Sequence, residues 1–159
     1  YMQVVRYKTA KLFEAATEVG AILGQADSAL QEAAAALGRH LGTAFQLIDD
    51  VLDYSGDAEA LGKNVGDDLR EGKPTLPLIR VMEVGTAAEQ SLIRQAIETG
   101  DADFDAVARA IANTDAVEYT RLAAHKEIDY ALEALQHFPP SECTEALRSM
   151  CRFAVERDR

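Results

Sequence analysis

Apolar residues recur every three or four positions along nearly the whole chain, a spacing that predicts helices throughout. The first predicted helix runs from residue 1 to about Leu23 and is ended by Gly24. The second begins after Asp27 or Ser28, either of which can cap it, and continues to about Tyr54. No segment shows a convincing strand alternation. The pattern therefore predicts an all-α fold.

Shorter helices are predicted in the second half of the chain, at about 78–84, 87–99, 103–113, 115–137 and 141–156. The intervening segment from Ser55 to Pro74 holds four glycines and few apolar residues. We expect it to be a long ordered loop, and such loops inside compact domains are usually functional. Gly38 and Gly42 share one side of the second helix, where a neighbouring helix or a ligand chain could approach closely.

Composition limits the possible functions. With 159 residues, 48% of them hydrophobic, and no long apolar run, the chain is predicted to be one soluble domain over 1–159 without a membrane span. A formal charge of -11 argues against a nucleic-acid surface as the main function. Cys143 and Cys151 lie eight residues apart on one predicted helix, too far apart to pair, so reduced thiols in the cytoplasm are expected.

Three aspartates, Asp49, Asp50 and Asp53, share a polar arc of roughly 100° with Gln46 on the second helix. Apolar residues fill most of the remaining circumference, which indicates that the acids face a cavity and not open solvent. No Lys or Arg occurs between positions 41 and 62 to offset their mutual repulsion. A divalent cation would remove that cost. Carboxylate oxygens suit Mg²⁺, which takes one or two of them while bridging to phosphate oxygens.

The glycine-rich segment adds candidate phosphate ligands. It contains Gly-Lys twice, at Lys63 and Lys73, but the Walker A spacing and a preceding strand are absent, which excludes a P-loop. Lys63 follows Asp53 by ten residues and could return to the same cavity to meet an anion. Asp67 and Asp68 could supply further acceptors around the ions. Taken alone, these residues and the early Lys8-Thr9 pair are more typical of turns and solvated surfaces.

Together these motifs resemble the second half of the trans-polyprenyl diphosphate synthases. The similar features are Lys8-Thr9, Phe45-Gln46 followed by the Asp-Asp-x-x-Asp motif of Asp49, Asp50 and Asp53, Gly62-Lys63, Asp67-Asp68 and Lys73. The similarity covers essentially the whole chain. It implies an antiparallel helix bundle, the C-terminal half of the isoprenoid synthase fold. It also implies an enzyme that adds isopentenyl diphosphate to an allylic diphosphate, such as farnesyl diphosphate. The product implied is an octaprenyl side chain for a respiratory quinone, with nonaprenyl and decaprenyl products left open.

The resemblance also implies a role for each matching residue. Asp49 and Asp53 would hold Mg²⁺ against the allylic diphosphate, with Asp50 beside them as a ligand or near-ligand. The remaining motif residues would contact the substrate. The diphosphate would be bound by Lys8, Lys63 and Lys73, and the reacting end, close to the carbocation, would be lined by Thr9 and Gln46.

One part of the family pattern is not in this sequence. The family carries a first Asp-rich motif on an earlier helix, and no counterpart stands within the 159 residues. We therefore expect this chain to be the C-terminal part of a longer enzyme, incomplete alone, and to form a homodimer as family members do. Two alternatives remain: a non-catalytic partner subunit of such a synthase, or another Mg²⁺-dependent all-helical diphosphate enzyme, such as a hydrolase or terpene cyclase.

Overall fold

A computed structural model of the chain describes residues 1–55, 67–100 and 103–157, and within these ranges every regular element is helical. A short α1 (Met2–Val5) leads through a π-helical turn (Arg6–Ala10) into α2 (Lys11–Leu23). The long α3 (Ser28–Ser55) follows. The remaining helices are α4 (Asp67–Arg70), α5 (Leu76–Val84), α6 (Ala87–Thr99), α7 (Phe104–Asn113), α8 (Ala116–Ala134) with a 3₁₀ turn (Leu135–His137), and α9 (Glu142–Glu156).

The ends of the helices follow the capping signals of the sequence. Gly24 is the C-cap of α2, and the Asp27 carboxylate accepts a 2.9 Å hydrogen bond from the Leu30 N–H at the start of α3. Ser141 and Asp103 cap α9 and α7 in the same way. The predicted boundaries of these helices are confirmed to within one or two residues. The π-helical turn was not predicted, since hydrophobic spacing does not distinguish it from the helices on either side.

Gly38 and Gly42 mark a close contact between α3 and α2. A Cβ atom built on Gly38 would lie 2.2 Å from Thr17 Oγ1 and 2.4 Å from the Phe13 carbonyl oxygen, and one on Gly42 would lie 2.8 Å from Ala10 Cα. The expected approach of a neighbouring helix at these glycines is therefore confirmed.

The predicted loop over 55–74 is partly wrong. Residues 67–70 form α4, because Leu69 is buried in a hydrophobic cluster with residues of α5, α6 and α7. The helix ends in a Schellman motif: the Gly72 N–H donates to the Leu69 carbonyl and the Lys73 N–H donates to the Asp68 carbonyl, both at 2.9 Å. Gly72 has φ +67°, a left-handed conformation that favours glycine. Residues 56–66 lie outside the described part of the chain.

The described residues fall into two compact units. The first unit comprises Tyr1 and the described residues of 49–122, and its core consists of Leu69, Leu78, Val81, Ile93, Ala96, Val107, Ala110, Ile111 and Ala116. The second unit comprises residues 2–48 and 123–157, with a core that includes Leu37, Leu47, Ile48, Ile128, Leu135 and Val155. Both α3 and α8 contribute residues to each unit. The single domain over 1–159 stays a prediction.

Two expectations from composition can be compared with the structure. None of the helices described here is long and apolar enough to cross a membrane. Both cysteines are free: Cys143 is exposed and Cys151 is buried, and burial raises the pKa of the Cys151 thiol.

Candidate functional site

The three aspartates of α3 have different environments. The side chain of Asp50 is buried, with 1% of its surface exposed, whereas Asp49 and Asp53 are partly accessible. Their neighbours on the helix are fully or almost fully buried apolar residues: Leu47, Ile48, Val51 and Leu52. The apolar flanks inferred from the sequence are therefore present, and a buried carboxylate of this kind needs hydrogen-bond donors or a cation.

Asp50 has such a donor in Tyr1, the hydroxyl of which donates to Asp50 Oδ2. Burial raises the pKa of the Tyr1 phenol far above its usual value, and the adjacent Asp50 charge raises it further. The Tyr1 hydroxyl therefore stays protonated and remains a hydrogen-bond donor to Asp50.

Asp53 is connected to Lys73 through Asp68. The Asp68 backbone N–H donates to Asp53 Oδ2 at 3.3 Å, and the Asp68 carboxylate accepts a 2.8 Å hydrogen bond from Lys73 Nζ. Lys73 Nζ also lies 2.6 Å from Glu71 Oε2. These contacts with Asp68 and Glu71 raise the pKa of Lys73, so the ammonium keeps its charge. Asp68 thus links Lys73, a predicted diphosphate ligand, to Asp53, a predicted metal ligand.

A second tyrosine contacts the same segment. Tyr54, the residue after Asp53, accepts a 3.3 Å hydrogen bond from the Thr75 hydroxyl. Thr75 is the N-cap residue of α5, yet its side chain makes no capping hydrogen bond to that helix. Burial raises the pKa of the Tyr54 phenol, which therefore stays neutral.

Another group of predicted residues, Lys8, Thr9, Phe45 and Gln46, lies in the second unit. Thr9 Oγ1 donates a 2.9 Å hydrogen bond to Gln46 Oε1, joining the π-helical turn to α3. Lys8 precedes Thr9 and is exposed. Phe45 is held by Arg157, which donates from Nη2 to the Phe45 carbonyl oxygen at 2.8 Å and places its guanidinium 4.0 Å from the ring centroid.

The metal prediction concerns residues 49, 50 and 53. Within residues 1–55, 67–100 and 103–157, no three His, Cys, Asp or Glu side chains are gathered as a ready metal cluster. The donor set fits Mg²⁺ in a shared site, because that ion takes one or two carboxylates and completes its shell with water and phosphate oxygens. Partly accessible Asp49 and Asp53 offer such oxygens. Lys63 lies outside the described residues, so its predicted role stays a prediction.

Comparison with known proteins places the chain in a family. The family model described as polyprenyl synthetase matches residues 1–114. This chain belongs to the polyprenyl synthetase family, and its helical fold is the one that this family's solved structures share.

Individual relatives support the same assignment. Octaprenyl diphosphate synthase from Escherichia coli (strain K12) is 48% identical over 100% of this chain and 50% of that protein. All-trans-nonaprenyl-diphosphate synthase (geranyl-diphosphate specific) from Rhodobacter capsulatus is 43% identical over 99% of this chain and 48% of that protein. A polyprenyl synthase from Caulobacter crescentus CB15, complexed with calcium and isoprenyl diphosphate, superposes with a TM-score of 0.92 at 40% identity, covering 100% of this chain and 49% of that structure. The chain thus spans about half the length of the relatives it matches.

Sequence reasoning missed three residues that contact the motifs or the start of α5. Tyr1 and Arg157 reach Asp50 and Phe45 from positions 49 and 112 residues away, and no periodicity in a single sequence indicates such pairs. Tyr54 carried a local signal, since it directly follows Asp53 on the same helix. Its contact with Thr75, however, depends on the fold.

Proposed function

We propose that this chain serves the transfer of isopentenyl diphosphate to an allylic diphosphate, forming an all-trans polyprenyl diphosphate. The observation that carries the proposal is the link from Asp53 through Asp68 to Lys73, beside an Asp50 that is buried. Through Asp68 it links the Lys73 ammonium to the aspartate motif. Carboxylates and an ammonium group are the combination that a diphosphate with a bound cation requires. Membership of the polyprenyl synthetase family supports the same reaction.

The chemistry assigns a role to each part of the site. When bound, Mg²⁺ would neutralise charge on the allylic diphosphate as its bond to carbon breaks. Asp49 and Asp53 would hold that ion, with Asp50 beside them. Lys8, Lys63 and Lys73 would donate hydrogen bonds to the diphosphate oxygens. Thr9 and Gln46 would lie at the reacting carbons, where neutral side chains orient the substrate. Calcium and isoprenyl diphosphate in the Caulobacter crescentus protein support a divalent cation here.

The product is proposed to be octaprenyl diphosphate, destined for a respiratory quinone side chain. Support comes from the 48% identity to octaprenyl diphosphate synthase from Escherichia coli. The nonaprenyl synthase from Rhodobacter capsulatus is 43% identical, so a nonaprenyl product is the alternative to octaprenyl diphosphate.

We further propose a cytoplasmic homodimer. Six large apolar residues on α1, the π-helical turn and α2 are 49–78% exposed: Val4, Tyr7, Leu12, Val19, Ile22 and Leu23. An apolar surface of this kind is typical of a surface that another polypeptide covers. Free cysteines at positions 143 and 151 are in keeping with a reducing compartment.

The experiment is a substrate-dependence assay. Labelled farnesyl diphosphate is incubated with Mg²⁺ and with the chain supplemented by a polypeptide that carries the family's first Asp-rich motif. The incubation is run with and without isopentenyl diphosphate, and products are separated by length. Asp49→Asn is the test variant, and Asp129→Asn, which removes an exposed acid on α8, is the matched control. The proposal predicts elongation only when isopentenyl diphosphate is present, with loss in Asp49→Asn alone.

Other outcomes identify the alternatives. Consumption of farnesyl diphosphate without isopentenyl diphosphate would indicate a hydrolase or a terpene cyclase. Elongation that is unchanged in Asp49→Asn would indicate that the added polypeptide performs the chemistry and that this chain is a non-catalytic partner subunit. Either outcome contradicts the proposed transfer by this chain.

A further inference from the structure

Asp68 contacts two residues of the proposed site through two different groups. Its backbone N–H donates to Asp53 Oδ2 at 3.3 Å, and its carboxylate accepts a 2.8 Å hydrogen bond from Lys73 Nζ. A substitution of the Asp68 side chain removes the contact with Lys73 but keeps the backbone donor to Asp53. The role of the Lys73 contact can therefore be tested by itself.

The backbone on both sides of this ion pair is fixed by its surroundings. Leu69, next to Asp68, is 3% exposed and belongs to the core of the first unit. Gly72, next to Lys73, has φ +67°, and a Cβ built on it would lie 2.8 Å from the Ile97 carbonyl oxygen. The Lys73 N–H donates to the Asp68 carbonyl at 2.9 Å. The conformational freedom that Lys73 has left is therefore mainly that of its side chain.

Two carboxylates contact the Lys73 ammonium, and they differ in exposure. Asp68 Oδ1 lies 2.8 Å from Nζ and Glu71 Oε2 lies 2.6 Å from it. The side chain of Asp68 is 24% exposed, whereas that of Glu71 is 62% exposed. Exposed ion pairs are weak, because water competes for the charges and long side chains lose freedom when they pair. Asp68 is therefore the better placed of the two acids to fix the Lys73 side chain.

We propose that Asp68 is a positioning residue, the carboxylate of which orders the Lys73 side chain so that its ammonium is ready to receive a diphosphate. The proposal rests on the proposed function, because it assumes that Lys73 binds diphosphate. A disordered lysine side chain loses rotamer freedom when it binds a ligand, and an ordered one has already lost it. An ammonium has three N–H donors, so Lys73 can keep its bond to Asp68 while another donor meets the diphosphate.

The Asp68 carboxylate also carries a charge, which has the opposite effect on an anion. It would repel a diphosphate and neutralise Lys73, so a variant that removes both the charge and the contact gives a mixed result. Asp68→Asn and Asp68→Ala remove the same charge, but asparagine keeps a side-chain oxygen that can accept from Lys73. Comparison of these two variants therefore separates positioning from charge.

The first test is calorimetric binding of inorganic diphosphate in Mg²⁺, with Lys73 intact and with Lys73→Met. With Lys73 intact, Asp68→Ala should bind about three- to tenfold more weakly than Asp68→Asn, the usual effect of one lost hydrogen bond. In the Lys73→Met background the two variants should differ by less than about twofold. Equal affinities of the two variants with Lys73 intact, or the same difference in both backgrounds, would overturn the proposal.

The matched control is the other acid on the same ammonium. Glu71→Gln and Glu71→Ala again remove the same charge and differ in whether an acceptor oxygen is kept. Because Glu71 is 62% exposed, the two variants should bind diphosphate within about twofold of each other. A difference as large as that between the two Asp68 variants would overturn the special role of Asp68.

The second test does not depend on diphosphate. Carbon-13 relaxation at Lys73 Cε measures the order of this side chain in the ligand-free chain. Its order parameter should fall in Asp68→Ala and should fall less in Asp68→Asn and in Glu71→Ala. An order parameter in Asp68→Ala equal to that of the unmodified chain would overturn the proposal even if diphosphate binds. If the unmodified chain binds no diphosphate, the proposed function fails, and the order parameter alone then decides whether Asp68 holds Lys73.

Discussion

The Thr9 hydroxyl donates a 2.9 Å hydrogen bond to the side-chain oxygen of Gln46, joining the π-helical turn to helix α3. The two backbones come close enough for this contact because Gly42, one turn before Gln46, faces Ala10 without a side chain. The two neutral residues proposed for the reacting end are therefore held together by the packing of their helices.

The first prediction concerns that packing. Gly38→Ala should lower the free energy of unfolding by about 1–3 kcal/mol, since its new methyl group would overlap Thr17 Oγ1 and the Phe13 carbonyl. Gly20→Ala is the matched control, because a Cβ at Gly20 meets nothing within 4 Å. That control should gain about 0.5–1 kcal/mol from helix propensity. Urea denaturation measures both, and equal stability of the two variants would contradict the close contact.

The second prediction is a pH dependence at Glu89. A capping box joins Glu89 to Thr86, and Glu89 also accepts a 2.9 Å hydrogen bond from the Asn113 side chain. These hydrogen bonds, first from Asn113 and then from Thr86, hold the pKa of Glu89 below its ordinary value of 4.5. The contribution of the ionised Glu89 to stability is thus fully present above pH 4.5, and it is lost as the pH falls through the lower pKa of the folded state.

Glu89→Gln should therefore be less stable than the unmodified chain at neutral pH, with a difference that shrinks as pH falls well below 4.5. Urea midpoints across this range measure the difference. Asp105→Asn is the control, as it removes an exposed acid from the first turn of α7 without a capping box. A Glu89→Gln difference that stays constant with pH would disprove the linkage.

The third prediction concerns Arg157 and Phe45. Arg157→Lys should lower the free energy of unfolding by about 1 kcal/mol. The planar guanidinium of Arg157 lies over the Phe45 ring and also donates to the Phe45 carbonyl oxygen, and the compact ammonium of lysine cannot make both contacts. Arg152→Lys, at an exposed position of α9, should change stability by less than about 0.5 kcal/mol. Thermal unfolding distinguishes the two, and similar small shifts in both would count against the Arg157 contact.

Much of the helical fold was predictable because its signals are local. Gly24, Asp27 and Ser141 each end or begin a helix through their own backbone or side-chain chemistry. Helix α4 was not predictable in this way. Four residues are too few to show a period, and the helix exists because Leu69 is buried in a core formed by later helices.

The same distinction between local and long-range signals applies to the candidate site. The Asp-Asp-x-x-Asp motif is local and could be read from helical spacing and its apolar flanks. The contacts that distinguish its members are long-range. Asp50 accepts a hydrogen bond from the Tyr1 hydroxyl, and Asp53 accepts one from the Asp68 backbone N–H. Both pairs depend on tertiary structure, which a single sequence does not reveal.

The most direct test of the central claim is calorimetric binding of a non-hydrolysable farnesyl diphosphate analogue in Mg²⁺, comparing the chain with an Asp49→Asn/Asp53→Asn variant. An Asp105→Asn/Asp129→Asn variant removes the same charge from exposed positions. We predict that the chain and the control variant both bind the analogue, and that chelation of Mg²⁺ abolishes this binding. In the test variant, binding should be weaker by more than about a hundredfold, since even residues around metal ligands contribute about 10–100-fold. Binding that survives both chelation and the loss of Asp49 and Asp53 would contradict the account.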